Sequence, residues 1–184
     1  MFNLEQFMAD CQAAVKEHSR QSAIKEIVAR AVAHPSELEH ALGIPQEAKL
    51  VTLYRSIDLT ILNLIWAPGM SINPHDHRMW AVIGLYGGRE DNTFYRRTAQ
   101  GLIRAGGKQL VTKDVVILGD KVIHGVTNPL SGFTGAIHVY GGDFFAAPRS
   151  EFDPDNFEER PFDGEKAKRL FQEANERLHA RSGI

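Results

Sequence analysis

The change of hydrophobic period near Lys49 is the feature that most constrains this fold. Before it, apolar residues such as Leu4, Phe7 and Cys11 recur at three- and four-residue steps, which is the period of a helix. After it, short apolar runs rich in branched residues alternate with breaks that contain Gly or Asn. Strands at this spacing, with glycine-rich turns between them, predict an antiparallel sandwich or barrel.

The chain divides into three segments of one domain. Its 184 residues are enough for one domain with a substantial core and too few for two comfortable ones. We expect a single domain over residues 1–184, in which 1–45 is a helical segment, 46–145 is a β-barrel, and 146–184 is a loop followed by a C-terminal helix. Closing the sheet would create an interior pocket.

Composition excludes several classes of function. The formal net charge of −2 argues against nucleic-acid binding, which usually needs a basic face. No apolar run approaches the length of a membrane span, and residues 1–6 lack the basic start of a secretory signal. The single cysteine, Cys11, cannot form an internal disulfide and is expected to pack in a helix. We expect a cytoplasmic monomer or homodimer without nucleic-acid or membrane partners.

Three histidines predict a metal site. His75 and His77 are one residue apart, so on a strand both side chains project to the same face. His124 lies in a second strand-like segment. Asp76 should point away from its neighbours, and for Glu90 a structural ion pair is expected rather than coordination. Three imidazoles from two distant segments indicate a metal site inside the barrel.

These segments resemble the cupin family. Gly69, His75 and His77 fit its first motif, and Gly119 with His124 fits its second. Cupins usually carry a glutamate four or five residues after the second histidine; here residues 81 and 82 are Ala and Val. The resemblance implies an all-β core with the cupin double-stranded β-helix (jelly-roll barrel), N-terminal helices and a C-terminal helix.

One branch of the cupins lacks that glutamate, and this chain resembles it more closely. The run from His75 to Gly84, the second motif and Ile137-His138-Val-Tyr140 are similar to the cysteine dioxygenases and the bacterial mercaptopropionate dioxygenases. The likeness extends roughly from residue 54 to residue 149. It implies Fe(II) held by three histidines with no carboxylate, although zinc or nickel could occupy the site in a purified sample.

The same resemblance implies a catalytic pair. His138 and Tyr140 match the histidine and tyrosine of a strand beside the iron in that family. A serine that precedes this histidine by two residues in the family is replaced here by Ala136. The cysteine that forms a crosslink in some members is replaced by Val82, so no crosslink is expected.

Substrate binding calls for an arginine, because its planar fork can hold both oxygens of a carboxylate. Arg149 matches the carboxylate anchor of the mercaptopropionate enzymes and is favoured. Arg55 lies near the corresponding arginine of the animal-type cysteine dioxygenases and is the second choice. Trp80 is expected to be a pocket wall or a core residue.

The leading hypothesis is an iron-dependent dioxygenase that converts a small thiol carrying a carboxylate to its sulfinate with O₂. Cysteine and mercaptopropionate are the nearest substrates by resemblance. Two alternatives remain open: a metal-dependent hydrolase or isomerase that uses metal-bound hydroxide, and a non-catalytic cupin that binds a small ligand.

Overall fold

Two antiparallel sheets face each other in the computed structural model, which describes residues 1–182. The helices are α1 (Leu4–Ala14), α2 (Arg20–Val32), α3 (Pro35–Leu42) and α4 (Gly164–Ser182). The strands are β1 (Lys49–Arg55), β2 (Thr60–Trp66), β3 (Ser71–Asp76), β4 (Ala81–Gly87), β5 (Arg89–Thr98), β6 (Gly101–Val111), β7 (Val115–Leu118), β8 (Ile123–Thr127), β9 (Thr134–Tyr140), β10 (Ser150–Phe152) and β11 (Glu159–Pro161). The first sheet has the order β1-β2-β9-β4-β7 and the second β11-β10-β3-β8-β5-β6. The predicted double-stranded β-helix, with helices before the strands and one helix after them, is confirmed.

The N-terminal helices cover the outer face of the first sheet. Strands β2 and β9 are buried on both faces, so their apolar residues alternate between two cores. Ile61 and Val139 join the core shared with α1, α2 and α3. Gly84 of β4 lets α2 approach closely, since an added Cβ would lie 2.4 Å from Cγ1 of Val28.

The second core lies between the two sheets, and α4 closes one side of it. Phe171 of α4 stacks on Trp66 of β2 with ring centroids 5.7 Å apart. Asn175 exchanges two hydrogen bonds with the backbone of Ala48, at 2.7 and 2.9 Å. These contacts hold the helix at the start of β1. No helix within residues 1–182 combines the length and apolarity needed to cross a bilayer.

The segment 146–164, expected to be a loop, contains two short strands. Strand β10 pairs with β3 and with β11, which extends the second sheet by two strands. Glu159 of β11 forms ion pairs with Arg97 and Arg78, which are distant in sequence. Strands of three residues are too short to show a periodic hydrophobic pattern, so the sequence did not indicate them. Strands β5 and β6 form one long hairpin, and Gly106 and Gly107 lie within β6, so these glycines do not separate two strands as glycines do elsewhere in the chain.

Candidate metal centre

Sheet register brings two of the three histidines together. His75 of β3 lies directly opposite His124 of β8 in the antiparallel pair. An irregularity in β3 between Ile72 and His75 shifts the alternation of side chains there. As a result both Ile72 and His75 face the space between the sheets, and both contribute to its lining.

His77 completes the cluster just beyond the end of β3. Its Nε2 lies 3.2 Å from Nε2 of His75 and 3.2 Å from Nε2 of His124. Imidazole nitrogens at about 2.0–2.1 Å from a shared ion, in tetrahedral or octahedral positions, would be roughly 2.9–3.4 Å apart. The three side chains are buried, and the spacing of their nitrogens fits a bound metal ion.

Hydrogen bonds fix the tautomers of two of these histidines. Nδ1 of His75 donates to the carbonyl oxygen of Asn73 at 2.9 Å. Nδ1 of His124 donates to Oδ1 of Asn92 at 2.6 Å. Each ring therefore presents the lone pair of Nε2 to the cluster, which is the form that ligates a metal. Converging lone pairs at 3.2 Å repel one another unless a cation or a proton lies between them.

Burial keeps these rings neutral. It lowers the pKa of His75 to about 4, against a smaller opposing effect from the hydrogen bond to Asn73. Burial, reinforced by the neighbouring histidines, holds the pKa of His77 and His124 well below the ordinary value of 6.5. The cluster could thus hold a divalent ion, and imidazole ligands suit Zn, Fe, Cu and Ni alike.

His138 and Tyr140 lie beside the cluster. Nδ1 of His138 is 2.9 Å from the hydroxyl of Tyr140, and the tyrosine ring meets the ring of His77 edge-on at 5.0 Å. Burial raises the pKa of Tyr140, so its hydroxyl keeps its proton. Ala136 is fully buried two residues before His138 and offers no hydroxyl. Nε2 of His138 is buried and has no hydrogen-bond partner within residues 1–182.

A buried carboxylate links the histidine cluster to this pair. Glu90 is fully buried and accepts hydrogen bonds from Nδ2 of Asn92 at 3.0 Å and from Nε1 of Trp66 at 3.1 Å. Its Oε2 also lies 3.8 Å from Nε2 of His138. Glu90 does not belong to the group of ligand atoms that lie within 4.8 Å of one another, and its hydrogen bonds orient residues around that group.

Arg149 contributes a cation to the same cavity. Its guanidinium is sandwiched between the rings of Phe144 and Phe162, at 3.8 and 4.0 Å from their centroids. The side chain is buried, and Nε and Nη1 have no hydrogen-bond partner within residues 1–182. Burial lowers the pKa of this arginine, with Tyr140 and Asp76 opposing the effect. A desolvated guanidinium with free donors is suited to bind an anion.

Two of the predicted pocket residues lie elsewhere. Arg55 donates from Nε and Nη2 to both carboxylate oxygens of Asp143, each at 2.9 Å, and its side chain is half exposed. Trp80 is buried in the core beneath the N-terminal helices, against Gly141. Neither lines the cavity that holds the histidines, whereas His138, Tyr140 and Arg149 do.

The segment that carries the histidines is fixed from its other side. Asp76 points away from the cluster, pairs with Nε of Arg78 at 2.7 Å and accepts from the backbone N–H of Ser150 at 2.8 Å. Arg78 adopts a left-handed conformation with φ 57°, so the chain turns directly after His77, one residue beyond the end of β3.

Several residues of the site were not singled out from sequence. Asn92 follows Glu90 by two residues on β5, so alternation could have placed both on the inner face. Phe144 lies in the Gly-Gly-Asp-Phe-Phe turn after β9, which carried no recognised signal. Phe162 reaches the site from a segment read as a loop.

No protein-family model matches the chain. Among solved structures, an RmlC-like cupin from Methanocaldococcus jannaschii is 11% identical with a TM-score of 0.47, over 56% of this chain and 87% of that one. A double-stranded β-helix protein from Klebsiella pneumoniae is 15% identical with a TM-score of 0.48, over 61% and 86%. Oxalate oxidase in complex with the substrate analogue glycolate is 11% identical with a TM-score of 0.42, over 54% and 53%. The likeness concerns the fold alone.

Proposed function

We propose that this chain is an Fe(II)-dependent dioxygenase that oxidises a small thiol bearing a carboxylate to the sulfinate. The observation that carries the proposal is the shared cavity of two complementary groups. One is a cluster of three buried histidines, which includes no carboxylate within residues 1–182. The other is the guanidinium of Arg149, whose Nε and Nη1 have no hydrogen-bond partner within the same residues.

The charge of the cluster favours a thiolate. Three neutral imidazoles would leave both positive charges of a divalent ion uncompensated, so an anionic ligand is attracted. A thiol is deprotonated readily when it coordinates a cation. Bound Fe(II) would supply the redox chemistry that lets dioxygen react with a thiolate.

The chain's own residues would orient the substrate. Arg149 offers free N–H donors to a carboxylate, and the rings of Phe144 and Phe162 hold its guanidinium plane in place. Tyr140 keeps its proton and can donate a hydrogen bond to a sulfur or oxygen atom beside His77. In this arrangement Nδ1 of His138 donates to the phenol oxygen, which leaves the tyrosine proton free for the substrate.

The reaction balances without a further reductant. One thiol and one O₂ give one sulfinic acid, RSH + O₂ → RSO₂H, in which both oxygen atoms end on sulfur. Sulfur loses four electrons and dioxygen gains four.

Oxygen uptake by anaerobically iron-loaded protein tests the proposal against a panel that includes cysteine and mercaptopropionate. We expect thiol-dependent uptake with two atoms of ¹⁸O in the sulfinate, and none for His124→Ala. Iron-loaded protein that consumes no oxygen with any thiol would contradict the proposal. Activity restored by zinc instead would favour the hydrolase or isomerase alternative, and thiol-dependent stabilisation without turnover would favour a binding protein.

A further inference from the structure

The cavity extends well beyond the three histidines. It has a volume of about 540 Å³ and reaches from the cluster to α4 and the start of β1. Much of its wall is apolar and is built from both sheets and the helix: Leu64, Trp66, Ile72, Val126, Phe144 and Phe171. Charged residues such as Lys49 and Lys168 lie where the helix meets β1.

This space is larger than a three-carbon thiol acid requires. A volume of 540 Å³ equals that of about 18 water molecules at roughly 30 Å³ each. It also falls in the range of about 300–1,000 Å³ typical of sites that enclose drug-sized ligands. A molecule the size of cysteine would leave most of the apolar wall in contact with water, which wastes the hydrophobic contribution to binding.

Contacts between α4 and the first sheet hold the wall of the cavity in place. Phe171 stacks on Trp66, and Asn175 is tied to the backbone of Ala48 by two hydrogen bonds. Trp66 is held in turn by its hydrogen bond to the buried Glu90. The cavity is therefore formed before a ligand arrives, and it need not be opened to admit an apolar group.

We propose that the substrate carries, besides its thiol and its anionic group, an apolar body of at least the size of a phenyl ring. The anionic group would meet Arg149, and the apolar body would lie against Trp66, Leu64 and Phe171. The thiol rests on the proposed function, whereas the pairing of an anion with an apolar body rests on the cavity itself.

Binding of thiol-free ligands tests this part alone. Calorimetry on anaerobic, metal-loaded protein would compare propionate, 3-phenylpropionate and neutral 3-phenylpropanol. We expect 3-phenylpropionate to bind about tenfold or more tightly than propionate, because the added ring is removed from water. It should also bind more tightly than the alcohol, which cannot pair with a guanidinium. Equal binding of the two carboxylates, or a preference for propionate, would overturn the inference.

Variants that fill the cavity test whether the phenyl ring binds there. Leu64→Phe should lower the ratio of the propionate and 3-phenylpropionate dissociation constants toward one. Gln172→Phe fills the same cavity from the exposed side of α4 and serves if the first variant does not fold. Val111→Phe adds a ring on the outer surface of β6 and should leave the ratio unchanged. A ratio that persists in both filling variants would contradict the assigned location.

Thiols then separate the two proposals. We expect 2-mercapto-3-phenylpropionate to be oxidised with a higher kcat/KM than mercaptopropionate. Preferential binding of 3-phenylpropionate without oxidation of any thiol would contradict the proposed dioxygenase function. It would still support a ligand that combines an anionic group with an apolar body. A higher kcat/KM for mercaptopropionate would contradict the proposed apolar body of the substrate, whereas the proposed dioxygenase activity would be supported.

Discussion

Oδ1 of Asn92 lies 2.6 Å from Nδ1 of His124, and this contact determines which nitrogen of that ring faces the other two histidines of the cluster. The amide of Asn92 is oriented by Glu90, which accepts from Nδ2 at 3.0 Å. The oxygen of the amide must therefore face the histidine. Two side chains on β5, Glu90 and Asn92, thus orient His124 on β8 with the lone pair of Nε2 toward the cluster.

Asn92→Ala should weaken metal binding without removing a ligand. The loss of the acceptor frees the ring of His124 to rotate and to change tautomer, and outer partners of this kind typically contribute about 10–100-fold in affinity. Competition with a chelator for Co(II) or Zn(II) measures the change.

Asn63→Ala is the matched control. This asparagine is also buried but accepts from the hydroxyl of Tyr86 at 2.9 Å, outside the cavity. Its substitution should lower stability and leave metal affinity unchanged. Equal losses of affinity in both variants would show that Asn92 acts through general stability.

Glu90→Gln should destabilise the fold. Both carboxylate oxygens accept hydrogen bonds, from Asn92 and Trp66, whereas a carboxamide offers one acceptor and one donor group. One buried donor would lose its partner, at a cost of about 1–3 kcal/mol in the free energy of unfolding. Asp91→Asn removes a partly exposed carboxylate paired with Arg89 and should cost under about 1 kcal/mol in urea unfolding. Equal losses of stability in Glu90→Gln and Asp91→Asn would show that the burial of Glu90 does not raise the cost of replacing it.

The convergence of the histidines could be predicted from local sequence. Strand alternation predicts that His75 and His77 share one face, and the motif that includes His124 supplies the third ring. In the structure the three rings converge, although His77 lies one residue beyond β3. The period change near Lys49 likewise separates helices from strands, because packing of one face leaves a periodic trace. Each of these signals lies within a few residues of the chain.

The surroundings of the site could not be predicted in this way. Arg55 is committed to Asp143, 88 residues away in sequence, and no local pattern records that pairing. Phe162 reaches Arg149 because β10 and β11 fold back along β3. A tryptophan in a strand-like segment fits either a pocket wall or a core. In the structure Trp80 packs closely against Gly141 and belongs to the core. Non-local packing determines all three placements.

Arg149→Gln should raise KM for thiols that carry a carboxylate. The variant loses the charge opposite the carboxylate, and charge-assisted hydrogen bonds contribute about 1.5–3 kcal/mol, or roughly 10–100-fold in KM. Cysteamine has no carboxylate, so any activity toward it should not fall. Steady-state oxygen uptake with both thiols measures the difference. A parallel loss for both would indicate a structural role instead.

Gly84→Ala should destabilise the packing of α2 on the first sheet. The new Cβ would lie 2.4 Å from Cγ1 of Val28 and 3.0 Å from Cγ1 of Val32. Overpacking of this kind costs about 1–3 kcal/mol. At Gly119 no described heavy atom comes within 4 Å of an added Cβ, so Gly119→Ala is the control and should unfold like the natural protein. Thermal and urea unfolding compare the two, and equal stability would contradict the close packing.

Acid should weaken the junction of β11 with the rest of the second sheet. Hydrogen bonds from Arg97 and Ser150 lower the pKa of Glu159 from its ordinary value of 4.5 to about 2. Because the pKa is lower in the folded protein than in the unfolded chain, the carboxylate stabilises the fold fully above pH 4.5, and this contribution is lost as the pH falls toward 2. The Glu159 side chain is 38% exposed, so solvent screening keeps the effect under about 1 kcal/mol. Urea unfolding near neutral pH and at about pH 3 measures how much of the free energy of unfolding is lost in acid. This loss should be smaller in Glu159→Gln than in the natural protein. Glu26→Gln changes a carboxylate on the exposed face of α2 and is the control, which should lose as much as the natural protein. An acid loss of equal size in all three would mean that other carboxylates control the acid response.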